Sequence, residues 1–370
     1  MRVAVVGGGP AGGSAALALA RAGAAVDLYV PERPGEKPCG GAVPEHVLPR
    51  LAGFDPAALP AVVSPEAVLE NARGSRLEID LRGIRIFRRS DLDRAIADAA
   101  VAAGANRVGR RVEMEDLRSY DWVVGADGAR GRTRRSLGLA PQGDSVGLGG
   151  SLQGLSWDRL VLGFPGLADS YLWIFPRPGG ASVGIAYTPE RLSDGAARAA
   201  LDAFLDRHLP AGWRDLPGPR YRYPLPVFGP WTSEAVRQGA ESRVLLVGDA
   251  AALADPLTRE GIRYGLLSGL WAAESLLAGT PEAYPERLER ELGEEMERAG
   301  RARSLFFDDP VGQWLVPVSR VHPGVRRVLS DLLACRQPYR GLRGRLLKGA
   351  ISVRPAGSRP RRNSPSAPAP

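Results

Sequence analysis

Three glycines near the start of the chain have the spacing of a phosphate-binding turn. Gly7, Gly9 and Gly12 follow an apolar run, residues 3–6, and open an alanine-rich stretch, so the pattern predicts a strand, a tight turn and a helix. Gly7 would permit the turn, Gly9 would let backbone N–H groups approach a pyrophosphate, and Gly12 would let the helix pack on the strand. Ala11 lies in the first helical turn, whose partial positive charge favours phosphate. The sequence therefore predicts a dinucleotide site.

Carboxylates follow three other predicted strands. Glu32 lies close to the position at which an acidic residue binds ribose hydroxyls, although Val30 occupies that position itself. A solvated turn carboxylate is the alternative for Glu32. Asp127 belongs to an Asp-Gly turn and Asp249 to a Gly-Asp turn, each directly after a short apolar strand. A strand-end cap would explain either one singly, but their recurrence predicts that the strands meet at one ligand.

The elements that position these residues belong to a globular chain. Its 370 residues are 44% hydrophobic, which is enough to fill a substantial core. Two cysteines and three histidines argue against a disulfide framework or a metal centre, so we expect a cytoplasmic protein with no bound metal. The net charge of +8 belongs to the C-terminal end, because residues 301–370 hold 14 Lys and Arg against 3 Asp and Glu. A compositional bias towards arginine is the alternative explanation of this charge.

Together the three turns resemble the fingerprints of flavin-dependent monooxygenases and reductases of the p-hydroxybenzoate hydroxylase type. The resemblance implies an α/β fold, with a Rossmann-like FAD-binding domain of the glutathione reductase and p-hydroxybenzoate hydroxylase type, an inserted β-rich substrate domain and C-terminal helices. It implies that FAD is the cofactor and that Asp249 binds the ribityl hydroxyls. It further implies cofactor contacts for Arg89, which begins an Arg-x-x-Leu-Asp element, and for Asp127, Pro256, Gly261 and Ile262.

Residues 37–44, Lys-Pro-Cys-Gly-Gly-Ala-Val-Pro, resemble an element of the geranylgeranyl reductase family within that superfamily. This resemblance places Cys39 near the flavin, as a catalytic candidate. The neighbouring Gly40 and Gly41 would let the backbone approach the flavin ring closely. A packed cysteine without a chemical role is the alternative.

Residues 171–176, Tyr-Leu-Trp-Ile-Phe-Pro, are similar to an aromatic strand of the same family. Because side chains alternate between the faces of a strand, Tyr171, Trp173 and Phe175 would form one aromatic surface. Such a surface could line a tunnel for an isoprenoid chain, which makes Tyr171 and Trp173 further catalytic candidates. Ordinary packing in the core of a sheet is the alternative.

The chain departs from the family pattern at Val30, at Gly131, where serine is common, and at Arg259, where glycine is common. Arg259 matters most, because a cation beside the flavin could change the choice of substrate or interact with a diphosphate.

The resemblance implies an FAD-dependent oxidoreductase that reduces carbon–carbon double bonds of a geranylgeranyl or other polyprenyl substrate by hydride transfer. A flavin-dependent monooxygenase or a related tailoring oxidoreductase of natural-product biosynthesis is the alternative. No second Gly-x-Gly-x-x-Gly motif occurs, so NAD(P)H would visit the flavin as a transient reductant. The second alkene carbon needs a proton, for which water, Tyr171 and Cys39 are candidates. We expect a lipid or other small-molecule partner and no nucleic acid.

The same resemblance implies a discontinuous FAD-binding domain and an inserted substrate domain. A helical region and a Pro-, Ser- and Arg-rich tail follow, and the tail has nothing to bury and should be disordered. The predicted segments are 1–50, 85–140 and 240–290 for FAD, 51–84 and 141–239 for substrate, 291–352 for the helices and 353–370 for the tail.

Basic and apolar side chains interleave near the C-terminal end, which predicts a helix able to contact the inner face of a membrane peripherally. Packing of this helix on the FAD-binding domain is the alternative. The residues concerned are Arg340, Arg343, Arg345 and Lys348 with Leu342, Leu346, Leu347 and Ile351.

Overall fold

Two sheets organise the chain, one parallel with five strands and one mixed with eight. The predicted α/β class, with a parallel sheet, a second β-rich region and C-terminal helices, is confirmed. Glu32 and the predicted tail lie outside the described residues. The computed structural model describes residues 1–31, 36–45, 51–55, 58–140, 144–307 and 311–351.

The parallel sheet consists of β1 (Arg2–Val6), β2 (Ala25–Tyr29), β6 (Asn106–Val108), β7 (Trp122–Gly125) and β13 (Val244–Leu246). Its spatial order is β13, β7, β1, β2, β6. Alternate residues of β1 enter two different cores, with Val3 and Val5 on one side and Ala4 and Val6 on the other. Burial on both faces explains why the strand reads as a continuous apolar run.

Three helices assemble beside this sheet: α1 (Pro10–Arg21), α2 (Arg89–Ala102) and α6 (Ile262–Leu277). Helix α1 packs against both of the others. Its approach to α6 requires glycine, because a Cβ on Gly269 would stand 2.0 Å from the carbonyl oxygen of Ala11. The Ser14 hydroxyl also donates to the carbonyl of Leu266 at 3.0 Å, which fixes the two helices together.

The eight-stranded sheet is antiparallel except where β4 and β9 run parallel. Its spatial order is β12, β8, β11, β10, β9, β4, β5, β3. Its strands are β3 (Ala42–Pro44), β4 (Ala61–Asn71), β5 (Arg76–Phe87), β8 (Ser145–Gln153), β9 (Leu160–Phe164), β10 (Tyr171–Arg177), β11 (Gly180–Tyr187) and β12 (Arg220–Leu225).

The remaining helices pack against one or the other sheet or against neighbouring helices. Phe204 and Leu201 of α4 fill one core with β8, β10 and β11, while Val316 of α9 and Leu329 of α10 fill another with β4 and β5. These helices are α3 (Arg132–Ser136), α4 (Asp194–His208), α5 (Pro230–Glu241), α7 (Ala283–Leu288), α8 (Glu294–Phe307), α9 (Val311–Val321), α10 (Pro323–Leu333) and α11 (Leu342–Ile351).

The strands of the parallel sheet come from the three chain segments predicted to form the FAD-binding domain. One strand differs from the predicted boundaries, because residues 42–44 form β3 and pair with β5 in the eight-stranded sheet. The exact division into domains stays a prediction. In the described part of the chain, the helices are too short or too polar to cross a bilayer.

Candidate functional site

The glycine turn after β1 has the geometry of a ligand cradle. Gly7 has a φ of 110°, and a Cβ there would lie 2.4 Å from the carbonyl oxygen of Ala126. A Cβ on Gly12 would lie 1.8 Å from the carbonyl of Gly7, so only glycine permits this crossing of helix and strand. Gly9 precedes α1, which has no side-chain cap and no acidic residue in its first turn. No side chain of this turn therefore neutralises the partial positive charge at the start of α1, which suits an anion.

The three predicted turns meet around Ala11. Gly248 has a φ of 56°, and a Cβ on it would be 2.9 Å from the Ala11 Cβ. A Cβ on Gly265 of α6 would likewise lie 3.6 Å from the Ala11 Cβ. Since Gly7 contacts Ala126 in the Asp-Gly turn, the ends of β1, β7 and β13 converge on one place. This convergence was predicted from the sequence.

Asp249 forms an ion pair with a residue that the sequence reasoning did not select. Its Oδ2 accepts from the Lys37 Nζ at 2.7 Å, and both side chains are largely buried. Burial opposes the charge of the ammonium, but the Asp249 carboxylate raises the pKa of Lys37. The Asp249 Oδ1 is directed towards Gly261, because a Cβ added to this glycine would lie 3.3 Å from it. A signal existed for Lys37, which is one of only two lysines in the chain and directly precedes the Pro-Cys-Gly-Gly element.

Arg89 is buried at the start of α2 and binds Asp93 with two parallel hydrogen bonds of 3.0 Å. Burial raises the pKa of Asp93, while the positive charges of Arg89 and Lys37 oppose that rise. The Asp93 Oδ2 lies 3.8 Å from the position of a Cβ on Gly9, so this pair borders the glycine turn. Glu36 caps α2 by accepting from the backbone N–H of Arg89 at 3.2 Å.

The Asp127 carboxylate is bound by groups at the start of the helix that follows it. Its carboxylate accepts the backbone N–H groups of Arg132 at 2.5 Å and Thr133 at 3.0 Å, and also the Thr133 hydroxyl. A Cβ on Gly131 would stand 2.1 Å from the Asp127 Oδ1, which explains glycine where relatives commonly have serine. In this geometry Asp127 holds the start of α3, and its assignment to the cofactor stays a prediction.

The Cys39-Gly40-Gly41 segment packs against the eight-stranded sheet. The Cys39 carbonyl accepts from the Ser182 hydroxyl at 3.0 Å, and its Sγ accepts the N–H of Gly41 at 3.3 Å. A Cβ on Gly40 would lie 2.4 Å from the ring of Phe175. Gly41, with a φ of 78°, would place a Cβ 2.1 Å from the carbonyl of Phe87. Close protein packing thus already requires both glycines.

The aromatic residues of β10 form the predicted row. The ring centroids of Tyr171 and Trp173 are 6.1 Å apart, and those of Trp173 and Phe175 are 6.5 Å apart. The Tyr171 hydroxyl donates to the carbonyl of Thr258 at 2.8 Å, and burial raises the pKa of Tyr171 to about 12. Trp173 donates to the Ser182 hydroxyl at 3.2 Å and is buried against Gly184 of β11. Its catalytic role stays a prediction that this packing does not support.

An apolar cavity of about 210 Å³ begins beside Cys39 and Gly261. Tyr171 and Phe175 line it from β10, whereas Trp173 is not one of the described residues that line it. Pro256 is likewise outside that lining, although its neighbour Leu257 and Ile262 belong to it. Leucine and phenylalanine are the commonest residues of the wall, among them Leu69, Leu81, Leu160, Leu162, Phe164, Phe306, Phe307, Leu329 and Leu332.

Arg259 lies in a buried ionic cluster. Its side chain is wholly shielded from solvent and donates to the Asp169 Oδ1 at 2.8 Å. Arg303 of α8 binds the same carboxylate and also Asp144, at 2.8 Å. The Arg259 guanidinium is therefore committed to Asp169, and the hypothesis that it interacts with a diphosphate has no support in this geometry. Its φ of 55° lies in the left-handed region that favours glycine, the residue that the family resemblance leads one to expect here.

These residues fit FAD. The uncapped start of α1 and the glycines that exclude a Cβ suit a pyrophosphate, and the Asp249 carboxylate suits the ribityl hydroxyls. The buried Arg89 adds a positive charge beside the same turn. A cofactor held there would extend along Asp249 to Gly261, where the apolar cavity begins.

Comparisons with known proteins agree with this fit. A protein-family model described as pyridine nucleotide-disulphide oxidoreductase matches residues 1–145. The menaquinone reductase of Mycobacterium tuberculosis is 32% identical over 323 residues, which cover 74% of this chain and 76% of that protein. Digeranylgeranylglycerophospholipid reductase 2 of Methanopyrus kandleri is 29% identical over 354 residues, covering 83% of this chain and 86% of the relative.

A solved structure shares the fold. The geranylgeranyl bacteriochlorophyll reductase-like protein of Thermoplasma acidophilum has a TM-score of 0.69 and 20% identity, and the match covers 94% of this chain and 98% of that one. Fold and site together define an FAD-dependent oxidoreductase. Within that class, the chain belongs to the geranylgeranyl reductase family.

Proposed function

We propose that this enzyme reduces carbon–carbon double bonds of a geranylgeranyl or other polyprenyl chain. The apolar cavity beside Cys39 and Gly261 carries the proposal. A prenyl chain offers almost only hydrocarbon surface. Burying that surface against leucine and phenylalanine side chains stabilises the complex by roughly 25 cal/mol per Å² removed from water. The names of the relatives, which include a menaquinone reductase and a digeranylgeranylglycerophospholipid reductase, support this substrate class.

The chain's own residues have separate tasks in this proposal. Gly7, Gly9 and Gly12 hold the pyrophosphate, and Asp249 binds the ribityl chain. When bound, FAD supplies hydride-transfer chemistry. Because the chain has a single dinucleotide-binding motif, NAD(P)H serves as a reductant that binds transiently.

Cys39 and Tyr171 border the space where cofactor and substrate would meet. Both line the cavity, and the neighbouring rings of Phe175 and Phe307 exclude water from it. Tyr171 stacks on Phe307 with centroids 6.4 Å apart, so this wall is preformed. Dry walls orient the alkene and keep oxygen- or water-dependent side reactions away from the reduced cofactor.

We also propose that α11 contacts the membrane. Fewer of its apolar side chains are available for this contact than the sequence pattern indicates. Leu342 and Leu346 pack inward, which leaves Leu347 and Ile351, 65% and 79% exposed, for a lipid interface. Arg343 and Lys348 are exposed beside them. The enzyme would act on a bilayer-borne substrate from the inner face of the membrane.

Dependence on oxygen tests the proposal against a monooxygenase. Enzyme supplied with NADPH and a panel of geranylgeranyl diphosphate, a digeranylgeranylglycerophospholipid and a menaquinone should saturate a prenyl chain equally well with and without oxygen. A product that forms only in oxygen and carries a hydroxyl group would establish the monooxygenase instead.

A further inference from the structure

One carboxyl group of the cavity wall has an oxygen atom that accepts no hydrogen bond from the described residues. Glu260 immediately precedes Gly261, and its Oε1 accepts the backbone N–H of Arg263 at 2.6 Å, which caps α6. Its Oε2 is shielded from solvent and has no hydrogen-bond partner among the described residues. Glu260 also lines the apolar cavity. A buried, unpaired carboxyl oxygen is costly, so its persistence points to a use.

The surroundings of Glu260 favour a protonated carboxyl. Burial raises the pKa of Glu260 to about 7, and the nearby Asp255 adds to the rise. The charge and backbone N–H of Arg263 oppose it. Cys335 and Tyr264 are the other titratable groups close to this carboxyl, and burial raises the pKa of both. At neutral pH the group holds a proton for much of the time and can also release it.

A second cavity lies close to Glu260. It measures about 290 Å³, and Asp255, Arg263 and Cys335 are among its lining residues. Cys335 and Leu332 line both cavities, so they form part of the wall between them. Glu260 lines the first cavity and is bonded through Oε1 to Arg263, which lines the second.

We propose that Glu260 is the proton donor for reduction of the alkene, an inference that rests on the proposed function. The alkene π pair forms a new C–H bond to the proton, and the O–H bond at Oε2 breaks and leaves its electron pair on the carboxylate. The other alkene carbon receives a hydride, whose two electrons come from the reduced FAD. The Glu260 carboxylate then regains a proton from water.

The other candidate donors are less suited to this step. The Tyr171 hydroxyl proton is directed to the carbonyl of Thr258, and burial raises the pKa of Tyr171 to about 12. Such a phenol gives up a proton to a hydrocarbon far less readily than a carboxylic acid. In contrast to the Tyr171 hydroxyl, the Glu260 Oε2 has no hydrogen-bond partner among the described residues, and Glu260 belongs to the cavity wall.

The test is the variant Glu260→Gln, which keeps an oxygen acceptor for the Arg263 N–H but cannot donate an acidic proton. Glu190→Gln, at an exposed turn, is the matched control. Dithionite-reduced enzyme is mixed without oxygen with the three-substrate panel, and the return of oxidised flavin absorbance is followed from pH 5 to 9. We expect unchanged flavin content, re-oxidation about 10²–10⁴-fold slower in Glu260→Gln, and loss of the wild-type decline in rate above pH 7.

A second readout does not depend on activity. A carboxyl whose pKa is raised by folding makes the protein less stable as pH rises from about 4.5 to 7, so the wild-type Tm should fall across this range relative to Glu260→Gln. A wild-type rate in Glu260→Gln overturns the donor role alone, and loss of flavin from this variant overturns it in favour of a cofactor contact. A wild type that none of the three substrates re-oxidises overturns the proposed function and the donor role with it.

Discussion

Asp249 is the proposed contact to the ribityl hydroxyls, so cofactor retention tests its assignment. It follows β13, it is paired with Lys37, and its second oxygen is directed towards the start of α6. Removal of this carboxylate leaves Lys37 without its ion-pair partner and the ligand hydroxyls without an acceptor. The second effect arises only in the bound state and therefore weakens binding.

Asp249→Ala should therefore cost about 1–3 kcal/mol of FAD binding free energy. Purified protein should be pale, and titration with FAD should give a higher Kd than the wild type. Asp158→Ala, at a side chain 93% exposed, serves as the control and should bind FAD normally. A stoichiometric yellow colour with unchanged affinity would contradict the assignment of Asp249.

For single residues, the sequence predicts where the glycine turns and the strand-end carboxylates lie, because a turn that has no room for a Cβ accepts only glycine. It does not predict which carboxylates face the ligand. Asp127 and Asp249 look equivalent as strand-end residues, yet Asp127 binds Arg132 and Thr133 within its own turn. That difference depends on the helix that follows, which the dipeptide pattern does not encode.

The loop before α6 is held by elements distant in sequence. Asp169 follows β9, and Arg259 and Arg303 reach it from the loop and from α8. Burial alone would raise the pKa of Asp169, but hydrogen bonds from Arg303 and the charge of Arg259 lower it to about 2. The cluster thus fixes the position of Glu260 and Gly261 against the second sheet.

Acid should release this cluster. A carboxyl whose pKa is lowered by folding stabilises the protein above about pH 4, and that contribution is lost as pH falls towards 2. Asp169→Asn should cost about 3–5 kcal/mol at pH 7, because it leaves the buried Arg259 without its carboxylate partner, whereas Arg303 keeps its ion pair with Asp144. In urea unfolding, the difference in the free energy of unfolding between the wild type and Asp169→Asn should become smaller between pH 4 and pH 2.5. Asp158→Asn should not differ from the wild type. A difference that does not change with pH would mean that Asp169 acts by packing rather than by charge.

Local elements such as β1 and α1 are predictable because adjacent residues specify them. The Asp169 cluster is not, since its members are 90 and 134 residues apart. The same reason explains why Leu342 and Leu346 were predicted for a membrane face. Only the position of α10 shows that they turn inward.

On the scale of the whole molecule, the C-terminal helices supply part of the cavity wall. Val316 of α9 and Leu329 of α10 line the cavity, while Trp314 and Val321 of α9 are exposed on the outside. The basic C-terminal end follows them in the chain. The proposed membrane contact rests on this arrangement.

The variant Leu347→Ser/Ile351→Ser should weaken binding to phosphatidylglycerol vesicles without unfolding α11, because both side chains are exposed. Arg343→Glu/Lys348→Glu should weaken it further at low salt, by up to about 1 kcal/mol for each basic residue lost. Sedimentation with vesicles measures both, and phosphatidylcholine vesicles are the neutral control. Truncation after Gly341 should have at least the same effect, and equal sedimentation of all forms would exclude α11 as the contact.

The most direct measurement of the central claim is the product of one anaerobic turnover. Enzyme carrying stoichiometric FAD is reduced with dithionite, freed of excess reductant and mixed with one equivalent of each prenyl substrate in turn. With at least one of them, the account predicts a product heavier by the mass of two hydrogen atoms, formed in an amount equal to the flavin re-oxidised. Flavin that stays reduced beside unchanged substrates, or re-oxidation that starts only when oxygen is admitted and yields an oxygenated product, would contradict it.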